Sequence, residues 1–251
     1  MIHLFISPHL DDIALSCGGY VRRLSESGED VIIATVCTAD VPEGMPLSPA
    51  AQHEHWQWQL GEQPYAQRCI EDDHVAALLG AAYVHMGLLD AIYRQDEKGE
   101  ALYAGLAFMG GAVHPSDWQY QLPEVASQVQ DLLATLSPAR VYGPLAAGGH
   151  VDHVITRRAV EQQCAPNSIT YYEDYPYAQK DPAAIAAALG APEQWRSSLI
   201  ALTEEEIAIR IGAIGAYASQ LSAVFGSAEA MPGLVREYIA STGGERYWER
   251  V

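Results

Sequence analysis

Residues 2–12 read Ile2-His3-Leu4-Phe5-Ile6-Ser7-Pro8-His9-Leu10-Asp11-Asp12, an apolar run that leads directly into one imidazole and two carboxylates. The residues that follow, 13–19, are apolar or small. This pattern predicts a buried strand that turns into a helix, with the polar residues in the turn. In open α/β sheets ligands bind outside the carboxyl ends of the strands, so this turn is where we expect chemistry.

The two carboxylates also have a purely structural interpretation. Acidic residues are common at helix N-termini, where they satisfy free N–H groups and oppose the helix dipole. A second polar cluster favours the functional interpretation. Gly149-His150-Val151-Asp152-His153 follows a predicted strand at 140–143 and opens a predicted helix that runs to about Gln163. Both clusters are thus predicted at the same edge of one sheet.

The rest of the chain alternates strand and helix patterns, which predicts an α/β fold with parallel strands. A β-branched run at 31–37 is expected to pair with the first strand, and further strands are predicted at 82–85, 168–172 and 197–202. Helices are predicted at 53–79, 123–136, 182–189, from Thr203 to about Leu221, and near 232–240, with irregular segments at 38–50 and 87–115. Everything after about residue 182 is expected to form a covering layer.

Composition limits the classes of partner. The chain has 251 residues and no linker, which predicts one domain over residues 1–251. A net charge of −18 disfavours nucleic acid and anionic membrane surfaces. The sequence has neither a secretory signal pattern nor a long apolar run, so a cytoplasmic protein is expected. Its four cysteines form no CxxC pair and are expected to be reduced.

The two polar clusters together contain the ligand types of a catalytic zinc site. Such sites use three protein ligands from His, Asp or Glu and leave one position open, and His9, Asp12 and His153 supply that set. Asp11, which is not needed as a ligand, suits a general base. His150 lies three positions before His153 and suits stabilisation of an oxyanion or a leaving group, while Asp152 suits orientation of a histidine.

The paired motifs resemble those of the PIG-L, or LmbE-like, zinc-dependent N-deacetylases. The resemblance rests on His9-x-Asp11-Asp12 after a strand and on Gly149-His150-x-Asp152-His153 much later in the chain. It extends to Arg68-x-x-Glu71-Asp72 and to the ending Gly243-Gly244-Glu245-Arg246-Tyr247-Trp248.

This resemblance implies a Rossmann-like, mostly parallel sheet flanked by helices in a three-layer sandwich. It implies zinc on His9, Asp12 and His153, with catalytic roles for Asp11 and His150, and hydrolysis of an N-acetylated amino sugar. Arg68 and Asp90 are implied as ligands of sugar hydroxyls. By the same analogy the protein is expected to form homo-oligomers, as trimers or hexamers.

The sequence departs from the family pattern in two places. Many relatives read His-Pro-Asp-Asp-Glu, whereas Leu10 and Ile13 stand at the proline and glutamate positions here. Some relatives place a carbonyl-polarising tyrosine two residues before the second-motif histidine, where this chain has Gly148. The metal, His150 or one of three tyrosines is left for that task, namely Tyr103, Tyr175 and Tyr177.

Several alternatives stay open at this level. The same site fits a zinc hydratase acting on an unsaturated acid, an amidase acting on a larger conjugate, or a sugar-binding protein without turnover. Arg68 has a structural alternative, an ion pair with Glu71 or Asp72 on its own helix. Nucleotide binding is disfavoured because neither a GxGxxG nor a Walker pattern follows a strand.

Overall fold

The computed structural model describes residues 1–103 and 105–251. In this part of the chain one seven-stranded sheet has the order β3-β2-β1-β4-β5-β7-β6. The strands are β1 (Ile2–Ser7), β2 (Asp30–Cys37), β3 (Ala82–Leu88), β4 (Arg140–Pro144), β5 (Ile169–Tyr172), β6 (Trp195–Ile200) and β7 (Glu245–Arg250). The first five strands are parallel, while β7 is antiparallel to both β5 and β6. The predicted α/β class with a mostly parallel sheet is confirmed.

Helices follow most strands. They are α1 (Asp12–Glu26), α2 (Pro49–Trp58), α3 (Pro64–Leu79), α4 (Leu122–Leu136), α5 (Val151–Gln163), α6 (Tyr177–Lys180), α7 (Pro182–Leu189), α8 (Glu204–Ala216), α9 (Leu221–Phe225) and α10 (Met231–Thr242). A π-helical turn, Asp117–Gln121, runs directly into α4. Among the described residues, every helix is too short or too polar to cross a membrane.

The alternation of side chains along β1 produces three layers. Leu4 and Ile6 are fully buried on one face of the sheet, in the apolar cluster that includes residues of α4 and α5. Phe5 points to the opposite face and packs in the cluster that includes α1, α3, α8 and α10. Because both faces of the strand are covered, its sequence is a continuous apolar run.

The strand order places a topological switch point beside β1. This strand pairs with β2 on one side and with β4 on the other. The chain leaves β1 into α1, which packs on one face of the sheet, and leaves β4 towards α5, which packs on the other. The turns after the two strands therefore diverge and leave a crevice between them, which is where open α/β sheets bind their ligands.

Two helix predictions were wrong in extent. The helical pattern predicted at 53–79 is two helices, α2 and α3, because Gln59 takes a left-handed conformation with φ of 54° and Pro64 starts a new helix. Proline disfavours helical geometry in the residue before it, so the sequence contained this signal. The helix that starts after Thr203 has the predicted capping box but ends at Ala216, and α9 is separate.

The expectation of a purely covering C-terminal layer was also wrong. Two strands, β6 and β7, extend the main sheet, and β7 inserts between β5 and β6. A buried ion pair fixes this insertion: the guanidinium of Arg210 lies 3.4 Å from the carboxylate of Glu245. The Glu245 carboxylate also accepts hydrogen bonds from the backbone N–H groups of Gly19 and Tyr20, at 2.9 and 3.0 Å. The C-terminal strand is thereby tied to α1 and α8.

Replacing Glu245 with alanine leaves the guanidinium of Arg210 buried without its carboxylate. We expect the free energy of unfolding to fall by about 3–5 kcal/mol, measured by urea denaturation. Arg236→Ala is the matched control, because it removes an exposed pair with Glu204 and should cost below about 1 kcal/mol. Equal losses in the two variants would contradict the structural role of the buried pair.

Candidate metal and active site

The turn between β1 and α1 is fixed by two short hydrogen bonds. The hydroxyl of Ser7 donates to the backbone carbonyl of His9 at 2.6 Å, and the backbone N–H of His9 donates to Asp12 Oδ2 at 2.9 Å. Asp11 occupies the N-cap position of α1, yet its side chain makes no capping hydrogen bond. Capping therefore does not account for Asp11, whose side chain instead lines a cavity.

The second cluster lies at the start of α5. His150 is the N-cap, and its Nδ1 accepts a hydrogen bond from the backbone N–H of Asp152 at 3.2 Å. Since Nδ1 is the acceptor, the proton of the neutral ring is assigned to Nε2. Burial, followed by the charge of His9, holds the pKa of His150 well below its usual value. His150 is therefore a neutral ring with an N–H to donate.

The structure brings the two clusters together around one carboxylate. Asp12 Oδ2 lies 3.3 Å from His9 Nδ1 and 3.4 Å from His153 Nε2. Ring nitrogens of His9, His150 and His153 all lie within 4.8 Å of one another. All four side chains are buried.

The ring nitrogens of His153 show why this cluster fits a metal ion. Nδ1 lies 2.6 Å from Asp174 Oδ1, whereas Nε2 is buried and has no hydrogen-bond partner among residues 1–103 and 105–251. A buried polar atom without a partner is costly, and a metal ion would satisfy it. His9 follows the same pattern, with Nε2 held 3.2 Å from Asp152 Oδ2 and Nδ1 facing Asp12. A carboxylate on the far nitrogen is typical of metal-binding histidines.

Two other groups of potential ligands fit less well. The thiol of Cys37 lies with His9 and Asp152 within 4.8 Å, but burial, followed by the charge of Asp152, raises the pKa of Cys37 to about 12. A protonated thiol is a poor ligand. His150 carries its proton on Nε2 and so presents a donor. The set His9, Asp12 and His153 is therefore the candidate metal site.

Asp152 is held by a buried network that the sequence analysis did not anticipate. Its Oδ1 accepts a hydrogen bond from Arg94 at 2.6 Å, and Arg94 also donates to Asp117 at 2.8 and 3.0 Å. The hydroxyl of Tyr103 donates to the same Asp117 oxygen at 2.5 Å. Burial alone would raise the pKa of Asp152, but Arg94 and His9 hold it well below the usual range. Asp152 therefore stays ionised and fixes the ring of His9.

Asp11 lies beside the candidate metal site in a mixed electrostatic environment. Burial and the neighbouring charge of Asp12 raise its pKa to about 6, while the guanidinium of Arg68, 3.9 Å away, opposes the shift. A divalent cation at the site would further favour the ionised form. Asp11 is thus a carboxylate with a perturbed pKa and no hydrogen-bonded partner for its side chain among the described residues.

The structural alternative for Arg68 is not observed. Its guanidinium stacks over the rings of Trp58 and Tyr65, at 4.7 and 4.9 Å from the ring centroids. Glu71 instead accepts hydrogen bonds from Ser219, and Asp72 bonds to His85 and Tyr217. Arg68 lines the cavity rather than pairing along its own helix.

A cavity of about 290 Å³ opens over these residues. Asp90 lies in its wall, where it accepts hydrogen bonds from the hydroxyl of Tyr65 at 2.5 Å and from the backbone of Ile92 at 3.1 Å. Apolar side chains also line the cavity, among them Leu106, Phe108 and Met109. The cavity has the size and mixed lining of a small-molecule site.

Comparison with known proteins identifies the family. The family model described as PIG-L, GlcNAc-PI de-N-acetylase, matches residues 4–164. The chain belongs to the PIG-L family. The match includes both polar clusters, most of β1, and the whole of β2, β3 and β4.

Individual members of the PIG-L family resemble the chain over most of its length. The 2'-N-acetylparomamine deacetylase of Streptomyces fradiae is 30% identical over 185 residues, which cover 71% of this chain and 58% of that protein. The enzyme of the same description from Niallia circulans is 26% identical over 196 residues, or 70% of this chain and 68% of that protein. The crystal structure of the zinc-inhibited form of teicoplanin deacetylase Orf2 has a TM-score of 0.84 and 28% identity, covering 100% of this chain and 98% of that one.

Three tyrosines were considered as replacements for the carbonyl-polarising tyrosine, whose position is occupied by Gly148 in this PIG-L chain. Their surroundings in the structure differ. Tyr103 is bonded to Asp117, and Tyr175 packs against Tyr238 with a centroid distance of 4.7 Å. Tyr177 lines the cavity, and its ring lies 5.4 Å from that of His153. A Cβ at Gly148 would approach Tyr177 to 2.7 Å, so position 148 has no room for a side chain. Of these three, Tyr177 is the tyrosine at the site.

Sequence reasoning assigned no specific role to two residues that hold side chains of the candidate site. Arg94 holds the Asp152 carboxylate, and Asp174 holds the ring of His153. Asp174 lies two residues after β5, which ends at the same edge of the sheet, and on that ground the acidic and aromatic stretch at 173–177 is expected from the sequence to form a wall of the site. Arg94 lies after β3 and a 3₁₀ turn, Ala91–Tyr93, in a segment without regular periodicity.

Asp174→Asn tests the support behind His153. Asp174 Oδ2 accepts from the backbone N–H of Ala147 at 2.9 Å while Oδ1 faces the ring, so an amide cannot serve both partners equally well. We expect zinc affinity to fall by about 10–100-fold, measured by competition with a chromogenic chelator.

Asp181→Asn is the matched control, because this exposed carboxylate caps α7, a position where asparagine is an equally good cap. Wild-type zinc affinity in a correctly folded Asp174→Asn protein would show that the carboxylate does not support a metal ligand.

Proposed function

We propose that the chain is a zinc-dependent hydrolase that removes an N-acetyl group from a small molecule containing an amino sugar. The observation that carries this proposal is the unpartnered Nε2 of His153 beside Asp12, with the carboxylate of Asp11 next to it. Membership of the PIG-L family and similarity to deacetylases over most of the chain support it. The single domain proposed for residues 1–251 is supported by β7, which places the C-terminus inside the main sheet.

Two imidazole nitrogens and one carboxylate oxygen form the ligand set of catalytic zinc sites. His9 through Nδ1, His153 through Nε2 and Asp12 would hold the ion. When bound, zinc acts as a Lewis acid on the amide carbonyl and lowers the pKa of water.

The residues around the ion have separate tasks in the proposed reaction. Asp11 takes a proton from the attacking water while the oxygen of that water adds to the carbonyl carbon of the acetyl group. The same proton then passes to the amide nitrogen as the C–N bond breaks and the amine leaves. His150, neutral and protonated on Nε2, donates a hydrogen bond to the developing oxyanion. Asp152, ionised by its contact with Arg94, keeps the ring of His9 in place.

The substrate is proposed to lie in the cavity with its sugar against Arg68 and Asp90. Both residues line the cavity, and the guanidinium of Arg68 is held in place by its stacking on the ring of Trp58. A fixed guanidinium and a carboxylate are suited to hydrogen bonds with vicinal hydroxyls. The similar proteins named 2'-N-acetylparomamine deacetylase and teicoplanin deacetylase support this class of substrate.

Asp11→Asn removes the proposed general base while preserving the size of the side chain. We expect kcat for acetate release from N-acetylated amino sugars to fall by about 10²–10⁴-fold, with one zinc ion still bound per chain. Acetate can be measured by a coupled enzymatic assay and zinc by elemental analysis.

Asp131→Asn, on the exposed side of α4, controls for the substitution and should leave kcat unchanged. Undiminished turnover by zinc-loaded Asp11→Asn would refute the assignment of the base. Hydration of an enol acid by the wild type, without acetate release from any sugar, would instead favour the hydratase alternative.

A further inference from the structure

One wall of the cavity is formed by a single face of α2. His53, Glu54, Gln57 and Trp58 line the cavity, and two pairs four positions apart, His53 with Gln57 and Glu54 with Trp58, place them along one side of the helix. The start of α2 is fixed because Ser48 Oγ accepts a hydrogen bond from the backbone N–H of Ala51 at 3.0 Å and donates one to the backbone carbonyl of Ile92 at 3.1 Å. This wall is therefore held in register with the rest of the site.

Glu54 differs from the other carboxylates that line the cavity. Asp12 is paired with two histidines, Asp90 accepts from Tyr65, and Asp11 faces Arg68. Glu54 makes neither a hydrogen bond nor an ion pair with any part of the chain that the structure describes. Burial raises its pKa and the charge of Asp90 raises it further, while the charges of His53 and Arg68 oppose the shift. Glu54 is therefore a carboxylate in the cavity wall that has no direct partner among the described residues.

The cavity also contains an unpaired cation, Lys180, but the two residues are not equivalent. Lys180 is exposed and forms no ion pair with Glu54 or with any other described residue. Its ammonium group is already solvated, so a ligand anion would gain little there. Glu54 is half-buried, and a carboxylate that has lost part of its hydration gains more from a bound cation.

We propose that Glu54 is a specificity-determining residue that binds a protonated amine, so that the substrates are N-acetylated amino sugars carrying a second, free amino group. This inference rests on the proposed function, since it assumes that the acetamide lies at the metal and the rest of the molecule extends towards α2. The net charge of −18 acts in the same direction, because it attracts cationic substrates over long range.

The test compares two probes of similar size on the zinc-loaded enzyme. 2'-N-acetylparomamine carries free amines, whereas N,N'-diacetylchitobiose is neutral. The quantity measured is the ratio of kcat/KM for the cationic probe to kcat/KM for the neutral one. We expect the wild type to prefer the cationic probe, and Glu54→Gln to lower the ratio by about tenfold, mainly through KM. Added salt should lower the wild-type ratio more than that of the variant.

Glu62→Gln is the matched control, because Glu62 is exposed and does not line the cavity, and its ratio should equal that of the wild type. A wild type that prefers the neutral probe, or a Glu54→Gln ratio equal to that of the wild type, would overturn the role of Glu54 and leave the deacetylase proposal intact. Absence of acetate release from both probes by the wild type would overturn the proposed function itself.

Discussion

The carboxylate of Asp12 joins the two halves of the site. One of its oxygens accepts the backbone N–H of His9 and lies close to the rings of both His9 and His153. Those rings come from turns that are far apart in sequence and meet only because β1 and β4 are neighbours in the sheet. Without this carboxylate, two buried imidazoles would face each other with no anion between them, and the site would lose the group that fixes its geometry.

Charge balance explains why so many further residues converge on this point. Asp11, Asp12, Asp152 and Asp174 are all buried, and buried carboxylates are stable only when paired or coordinated. Arg94 compensates Asp152, and the ring of His153 binds Asp174. The group formed by Asp11, Asp12 and the free ring nitrogens still lacks a full set of partners. A divalent cation, as proposed, would add positive charge there and would also satisfy the unpartnered Nε2 of His153.

Sequence alone predicted the parts of this site that depend on local pattern. The apolar run of β1, the two polar clusters and the parallel pairing were readable because strand ends in such sheets share one edge. The insertion of β7 was not readable, since its position depends on the buried pair of Arg210 and Glu245, which are distant in sequence. The contact of Arg94 with Asp152 and the exposure of Glu54 to the cavity likewise arise from tertiary packing, which periodicity does not encode.

We propose that His9, Asp12 and His153 together hold one metal ion. Crystals of the zinc-loaded protein, measured on both sides of the zinc absorption edge, test it most directly. We expect a single anomalous peak at about 2.0–2.2 Å from His9 Nδ1, an oxygen of Asp12 and His153 Nε2, with His150 outside the coordination sphere. A peak ligated by Cys37 or His150 in place of Asp12, or no peak between these side chains, would contradict it.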